Sequence, residues 1–397
     1  MMIDREQAIE TLVRACRWMD SMRHAGGWAS GYSLDGTERY LWGTYPLPGG
    51  TFAMRPPATS EVVRAFLRAY RVTGNDELYA MAARGASSIA DAQNESGGWG
   101  LHSGGVAAST NDDATSATAC SVLIDLAQEV RPPWLMSSIR KALDWFIATQ
   151  DMRGGWPMTP GRTDYQGAIT LNDGAMSSII LLMLQAHAAF GDERYLKSAL
   201  RGGMCLKGIQ KGGWPLQCGQ ITLLPTWGRD YEVPGYSPKA TQYAIMSMMH
   251  LFHYGLGWHW RASASEAVHW LEEVKLDDNL WALNYNRYGT PLYGDSAKPN
   301  VILNDYAEVS DSCKAHYAQQ GNFPGASIHY ASLADRKVPM SWWREGSPQW
   351  SRGGPEPVAA MDFPEAWIDA DRITVAKFEK CSQSIINWLM RPVEEKK

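Results

Sequence analysis

Apolar residues recur at helical spacing over roughly the first 275 positions, and they do so in rounds that resemble one another. One round reads RPPATSEVVRAFLRAYRVTGNDELY and then MAARGASSIADAQNESGGW; another reads LNDGAMSSIILLMLQAHAAFGDERY and then LKSALRGGMCLKGIQKGGW. Each predicts a helix, a short turn at Thr-Gly-Asn-Asp or Phe-Gly-Asp-Glu, and a second helix that runs into Gly-Gly-Trp. The first helices start at alanines that align between rounds, Ala58, Ala114, Ala175 and Ala240. Cap and turn formers precede them. The closing tryptophans Trp28, Trp99, Trp156 and Trp214 are 71, 57 and 58 residues apart, and a fourth round begins at YSPKATQYAIMSMMHLF without a closing Gly-Gly-Trp.

Repeated helix hairpins joined by long Gly-rich loops predict an all-α fold, an α/α toroid (an incomplete α/α barrel) with long loops over one face. Residues 1–397 are expected to form one domain: an extra N-terminal helical repeat over 1–100, a core over 105–295 and a loop-rich stretch over 276–360. The tail AWIDADRITVAKFEKCSQSIINWLMRPVEEKK returns to helical spacing. The repeat accounts for part of the chain's 18 Trp against only 8 Phe. It also reduces the two or three domains that length suggests to one.

The net charge of −5 offers no basic field for nucleic acid. No apolar run is read as a membrane span; the richest stretch, Ile179 to Leu184, is bordered by polar residues at helical spacing. The first twenty residues carry Asp4, Glu6 and Glu10 where a signal peptide requires a basic start, so the chain as written is expected in the cytoplasm unless a leader was trimmed. Six dispersed cysteines, with no CxxC, are expected to be free thiols. Zinc, nucleotide and serine-hydrolase signatures are missing: there is no HExxH, no GxxxxGK[ST], no GxGxxG and no GxSxG.

Chemistry is expected where the repeats differ. Before the first helices stand Arg55-Pro56-Pro57-Ala58, Asn111-Asp112-Asp113-Ala114, Asn172-Asp173-Gly174-Ala175 and Ser237-Pro238-Lys239-Ala240, and only the middle two are acidic. Hard oxygen ligands at matching mouths of neighbouring hairpins suit Ca²⁺, although Asn and Asp are also the preferred helix caps. Arg84, Lys141 and Arg201 each precede a repeat glutamine by nine residues, a shared position that argues first for structure. The loop TWGRDYEVPGYSPKA gathers Trp227, Arg229, Asp230, Tyr231, Glu232, Tyr236 and Lys239, a mixture suited to a sugar acid. An internal ion pair of Arg229 with Glu232 or Asp230 is the alternative reading.

The order of Ala114, Gly-Gly-Trp156, Ala168-Ile-Thr-Leu-Asn172-Asp173-Gly174-Ala175-Met176, Gly-Gly-Trp214 and TLLPTWGRDYEVPGYSP resembles the pectate lyases of polysaccharide lyase family 10, over roughly residues 105–295. The resemblance implies an α/α toroid that cleaves polygalacturonate, or a related uronate oligosaccharide, by calcium-assisted β-elimination, with an arginine taking the proton from C5. Asn111 and Asp112 fall on the family's Asp-Asn with the two types exchanged, Lys141 on a basic substrate-binding residue, Asp173 on an acidic site residue and Arg229 on the arginine of a similar Ala-Arg-Ala-Tyr-Glu. The implied catalytic residues are Arg229, Asp173 and Lys141; Asp112 and Asp173 would hold Ca²⁺, and Asn111, Asn172, Trp227, Tyr231, Glu232 and Arg287 would bind substrate. Ala168, Gly174, Gly219 and Thr290 depart from the pattern. Two other readings stand beside this one. The Gln-to-Trp repeats are also similar to those of triterpene cyclases, but the Asp-x-Asp-Asp acid is missing. A non-catalytic sugar-binding toroid would need none of the departed residues.

Overall fold

A computed structural model describes residues 4–104, 108–324, 359–369 and 371–390. The chain clusters into two compact units, one of Met1–Ser109, Thr118–Ala142 and Ser341–Lys397, the other of Thr110–Ala117 and Leu143–Met340. These boundaries differ from the divisions near 100 and 105 that the sequence suggests. The C-terminal segment packs with the N-terminal one, and this long-range pairing has no local sequence signal.

The predicted hairpins are present. They are α2 (Thr59–Thr73) with α3 (Asp76–Asp91), α4 (Thr115–Leu126) with α5 (Pro133–Thr149), α6 (Ala175–Phe190) with α7 (Glu193–Ile209), and α8 (Pro238–His253) with α9 (Trp258–Glu273), preceded by α1 (Arg5–Ser21). Two of the turns are built alike. Gly74 (φ 70°) and Gly191 (φ 71°) end α2 and α6 in the left-handed region, and Asn75 and Asp192 then cap the next helices by accepting from Glu77 N–H and Arg194 N–H.

In the first unit the C-terminal helix Val375–Leu389 packs on α1 and α2, and Arg5 donates to Leu389 O at 2.8 Å. Strand Arg372–Thr374 pairs antiparallel with Gly31–Ser33, which in turn pairs with Arg39–Trp42. In the second unit α6 packs against α7 and α8, and α8 against α9. The loops over these helix ends are extended, as the sequence suggests, and two-residue strands tie them together: Trp214–Pro215 to Tyr236–Ser237, Ile169–Thr170 to Gln217–Cys218, and Trp281–Ala282 to Gln320–Gly321. Asn172–Phe190, 19 residues, is long and apolar enough to cross a membrane by length and composition alone, as buried core helices also can be. Its apolar faces are covered by α7 and α8, and half of the stretch is buried inside the unit. All six cysteines are buried and unpaired.

Two side chains explain why the repeat keeps Gln and Trp. Each indole N–H reaches back to a carbonyl in the preceding helix: Trp28 to Met19 O, Trp99 to Ile89 O, Trp156 to Phe146 O and Trp214 to Leu206 O, at 2.7–2.8 Å. Trp281 does the same to Leu271 O at 2.7 Å, so the fourth round closes after all, with Asn279-Leu280-Trp281 in place of Gly-Gly-Trp. The glutamines join neighbouring hairpins. Gln150 donates to Gly154 O at 2.8 Å and to Ser198 O at 3.0 Å, and Gln93 and Gln210 make the same pair of bonds to Gly97 and Ser138 and to Gly212 and Ser263. Helix glycines make room for the indoles: a Cβ on Gly85 would lie 2.9 Å from Trp28, and one on Gly202 2.7 Å from Trp156.

Candidate active site

The two acidic turns lie in the second unit and pack against each other. Asp112–Ala114 and Asn172–Gly174 each form one 3₁₀ turn ahead of a helix. In both, an aspartate and the residue after it are left-handed: Asp113 (φ 48°) and Ala114 (φ 65°), Asp173 (φ 51°) and Gly174 (φ 73°). A left-handed non-glycine residue costs about 1 kcal/mol or more, so the conformation is held by its surroundings. By backbone, Asp113 matches Asp173 and Asp112 matches Asn172. The alignment on alanine is therefore displaced by one residue, because α4 starts at Thr115 and α6 at Ala175. Asp112 N–H donates to Thr110 Oγ1 at 3.1 Å and its carbonyl accepts from Thr115 Oγ1 at 2.6 Å.

Asn111 is spent on the fold. It is buried, its amide donates to Ala175 O at 2.7 Å and Ser178 Oγ at 3.2 Å, and its oxygen accepts from Ala117 N–H at 2.9 Å. These bonds use the whole amide to lock one acidic turn to the helix behind the other, a positioning role instead of the direct substrate contact implied by the resemblance.

Helix α8 packs against the Asn172–Gly174 turn and presents Lys239 and Tyr243, four residues apart on one face, to it. Lys239 Nζ lies 2.9 Å from Asp173 Oδ1 and donates to the Tyr317 hydroxyl at 3.0 Å. Burial alone would lower the lysine pKa, but the charges of Tyr317 and Asp173 and the two hydrogen bonds raise it above the ordinary value. Burial, then Asp173, raise the Tyr243 phenol, with Lys239 opposing and Asp113 adding to the rise. Both turn aspartates thus act electrostatically on the same ring.

Tyr317 continues the chain by donating to Glu232 Oε1 at 3.2 Å. Glu232, 1% exposed, also accepts from Asn172 Nδ2 at 3.2 Å, from Arg229 Nη2 at 2.6 Å and from Arg229 N–H at 2.9 Å. The arginine pairs with Glu232 and leaves Asp230 exposed, which settles the two partners considered from sequence. Its guanidinium lies 5.0 Å from the Tyr231 ring centre and 4.9 Å from that of Tyr317. Burial works to lower the Arg229 pKa, yet the hydrogen bond and charge of Glu232 outweigh it and hold the pKa above its usual value. Gly228 is required here, since a Cβ would collide with Gln217 and Glu232.

Trp227 is half-buried beside Gly228, and Tyr231 is buried. Arg287 is exposed on the turn after Asn284–Tyr285, where its guanidinium lies over Tyr288 at 4.6 Å and donates to that hydroxyl. Lys141 is exposed on α5 in the segment counted with the first unit. Its repeat equivalents serve structure: Arg84 pairs with Asp20 at 3.0 Å, and Arg201 donates to Asp151 O at 2.7 Å. Tyr243 and Tyr317 join the cluster without having been singled out for it, and Lys239, named with the sugar-acid loop, was given no place beside the acidic turns. Lys239 stands in the same aligned quartets as the acids, and its opposite charge was the available signal; Tyr317 lies far along the chain in a loop with no repeat equivalent.

The donor set does not fit a calcium ion held by the protein itself. Calcium takes six to eight oxygens. Among the described residues no group of three or more His, Cys, Asp and Glu side chains converges, and the Asp173 carboxylate already faces an ammonium group.

Three comparisons place this architecture. The family model described as pectic acid lyase matches residues 100–291, a span that includes both acidic turns, Arg229 and Lys239. The family 10 polysaccharide lyase from Cellvibrio cellulosa is similar in fold, with a TM-score of 0.55 at 17% identity over 69% of this chain and 97% of that one. An alanine mutant of a family 10 polysaccharide lyase from Cellvibrio cellulosa in complex with trigalacturonic acid gives 0.54 at 16% identity over 69% and 99%. A D-mannose isomerase gives 0.57 at 12% identity over 97% of both chains. No curated protein sequence matches. The fold class is thus that of the α/α toroid enzymes. Within it, residues 100–291 carry the pectic acid lyase pattern.

Proposed function

We propose that the cluster around Asp113, Asp173, Lys239 and Arg229 binds a polygalacturonate-type oligosaccharide and cleaves it by β-elimination. The observation that carries this reading is the chain of contacts Asp173–Lys239–Tyr317–Glu232–Arg229, four of whose five members lie within the span that matches the pectic acid lyases. In the elimination a base takes the hydrogen from C5, the C–H electron pair becomes the C4=C5 double bond, and the C4–O bond breaks with its pair on the leaving oxygen, which takes up a proton. The uronate carboxylate accumulates the negative charge, so a cation must face it.

Arg229 is the proposed base, and Glu232 governs it. A charged guanidinium cannot accept a proton, so the arginine must first be released and neutralised. Its release leaves no bare buried charge, because Asn172, Tyr317 and the Arg229 N–H still donate to Glu232. Asn111 and Asn172 position the turns and Glu232, while Tyr231 offers aromatic surface beside the guanidinium and Trp227 stands two residues away in the same loop. Pectate lyases are generally calcium-dependent. Since Asp173 is engaged by Lys239, calcium enters this proposal only as an ion brought between substrate carboxylates.

The closed Arg229–Glu232 pair favours a second reading, a uronate-binding protein without turnover. Offering polygalacturonate to wild type and to Arg229→Ala decides between them. Unsaturated uronate formed by wild type and lost by at least about a hundredfold in the variant supports elimination with Arg229 as base. Trigalacturonate binding without any product supports the binding reading.

A further inference from the structure

The acidic turn that the resemblance assigns to calcium already faces a cation of the protein's own. Lys239 Nζ is within hydrogen-bond reach of Asp173 and Tyr317, its side chain is one-fifth exposed, and it stands two positions into a sixteen-residue helix whose N-terminal end is itself electropositive. Among the aligned quartets that precede the first helices, this one alone places a lysine where its neighbours carry Asp113 and Gly174. The lysine is fixed from three sides. Asp173 holds its charge, the Tyr317 hydroxyl accepts one of its protons, and the Tyr317 ring centre lies 5.1 Å away.

Resting on the reading of this site as a uronate site, we infer that Lys239 is its resident cation: it meets the substrate carboxylate directly, and sugar binding and elimination proceed without calcium. The ammonium group donates three hydrogens. Asp173 and Tyr317 take two, which leaves one for a carboxylate oxygen. Asp173 then acts as a positioning residue that keeps the lysine charged and aimed, not as a metal ligand. A uronate brought to Lys239 exchanges water for a charge-assisted hydrogen bond, the stronger kind.

The test is calorimetric titration of trigalacturonate into wild type, Lys239→Gln and Lys239→Arg, each in EDTA and in millimolar Ca²⁺, with a separate titration of Ca²⁺ alone. Thermal melts confirm that the variants fold. The expected result is a wild-type affinity that calcium changes by less than about threefold, no saturable uptake of Ca²⁺ alone, and an affinity in EDTA reduced by roughly tenfold or more in Lys239→Gln and largely retained in Lys239→Arg. Wild-type binding that appears only with calcium, or saturable calcium uptake by the protein alone, overturns the inference and leaves the uronate reading standing. Equal binding by Lys239→Gln in EDTA overturns it as well. Absence of trigalacturonate binding by folded wild type in both buffers overturns the uronate reading itself, and the inference with it.

Discussion

Asp113 and Asp173 occupy the same backbone position in two successive hairpin turns, with φ of 48° and 51°, and both act on the Tyr243 phenol. The repeat has in this way delivered two carboxylates to one place, with Lys239 of a third hairpin set against one of them at 2.9 Å. The chemistry of the site is that of a mixed charge cluster, three carboxylates with Glu232 against two cations with Arg229, in a segment that matches the pectic acid lyases.

This correspondence distinguishes neighbouring residues. Asp113→Asn and Asp173→Asn are expected to lower kcat/KM on polygalacturonate by about a hundredfold each, because each removes a charge that orders the cationic side of the site. Asp112→Asn, at the position that Asn172 occupies in the other turn, is expected to stay within a few fold. Steady-state kinetics on the three variants checks this; a larger loss at Asp112 than at Asp113 would restore the alignment read from sequence.

The Glu232 carboxylate holds the Arg229 pKa up, and removing its charge must therefore lower it. A lower pKa means more neutral arginine at a given pH, so the pH–rate profile of Glu232→Gln is expected to move toward acid relative to wild type, whose rate should still be rising with pH above neutrality. A profile that does not move would exclude Arg229 as the group that titrates.

In the first unit Glu61 is buried at the start of α2, where its side chain accepts from Ala58 N–H at 2.8 Å. Burial and then the charge of Glu379 push its pKa up to about 7, against the attraction of Arg64. Between the ordinary carboxylate pKa and that value the folded chain binds more protons than the unfolded one, so stability falls as pH rises through this window. Glu61→Gln keeps an acceptor for Ala58 and is expected to flatten the dependence of Tm on pH between about 4.5 and 7.

The Gln clasp is expected to be structural. Gln150→Ala would remove the donations to Gly154 O and Ser198 O, leave the buried Ser198 hydroxyl without its acceptor and cost roughly 1–3 kcal/mol, read as a lowered midpoint in urea. Trp156→Ala, which empties the space against Gly202, is expected to cost about 3–5 kcal/mol.

The fold was legible because its signals are local. Helical spacing, the Gly74–Asn75 and Gly191–Asp192 turns and the Gly-Gly-Trp closures each sit within a few residues, and the hairpins fell where these put them. Closure of the fourth round by Trp281 was hidden because no glycine pair precedes it; the indole bond to Leu271 O needs the tryptophan and not the glycines. The pairing of the C-terminal helix with α1 and α2 depends on contacts between segments hundreds of residues apart, which leave no periodic trace. At the site, Asp173, Arg229 and Glu232 were visible as breaks in the repeat. The one-residue displacement that makes Asp113 the partner of Asp173 was not, since it lies in backbone conformation and both turns read as Asn and Asp. Tyr317 was invisible for a third reason: it reaches Lys239 and Glu232 from a loop that no repeat predicts.

The most direct test of the account is the ultraviolet absorbance of the C4=C5 unsaturated uronate when purified protein meets polygalacturonate. A steady rise that disappears in Arg229→Ala, with the variant still folded and still binding trigalacturonate, is the result the account predicts. Absorbance that stays flat with wild-type protein at every pH from neutral to alkaline, in the presence and absence of calcium and despite measurable trigalacturonate binding, would contradict it.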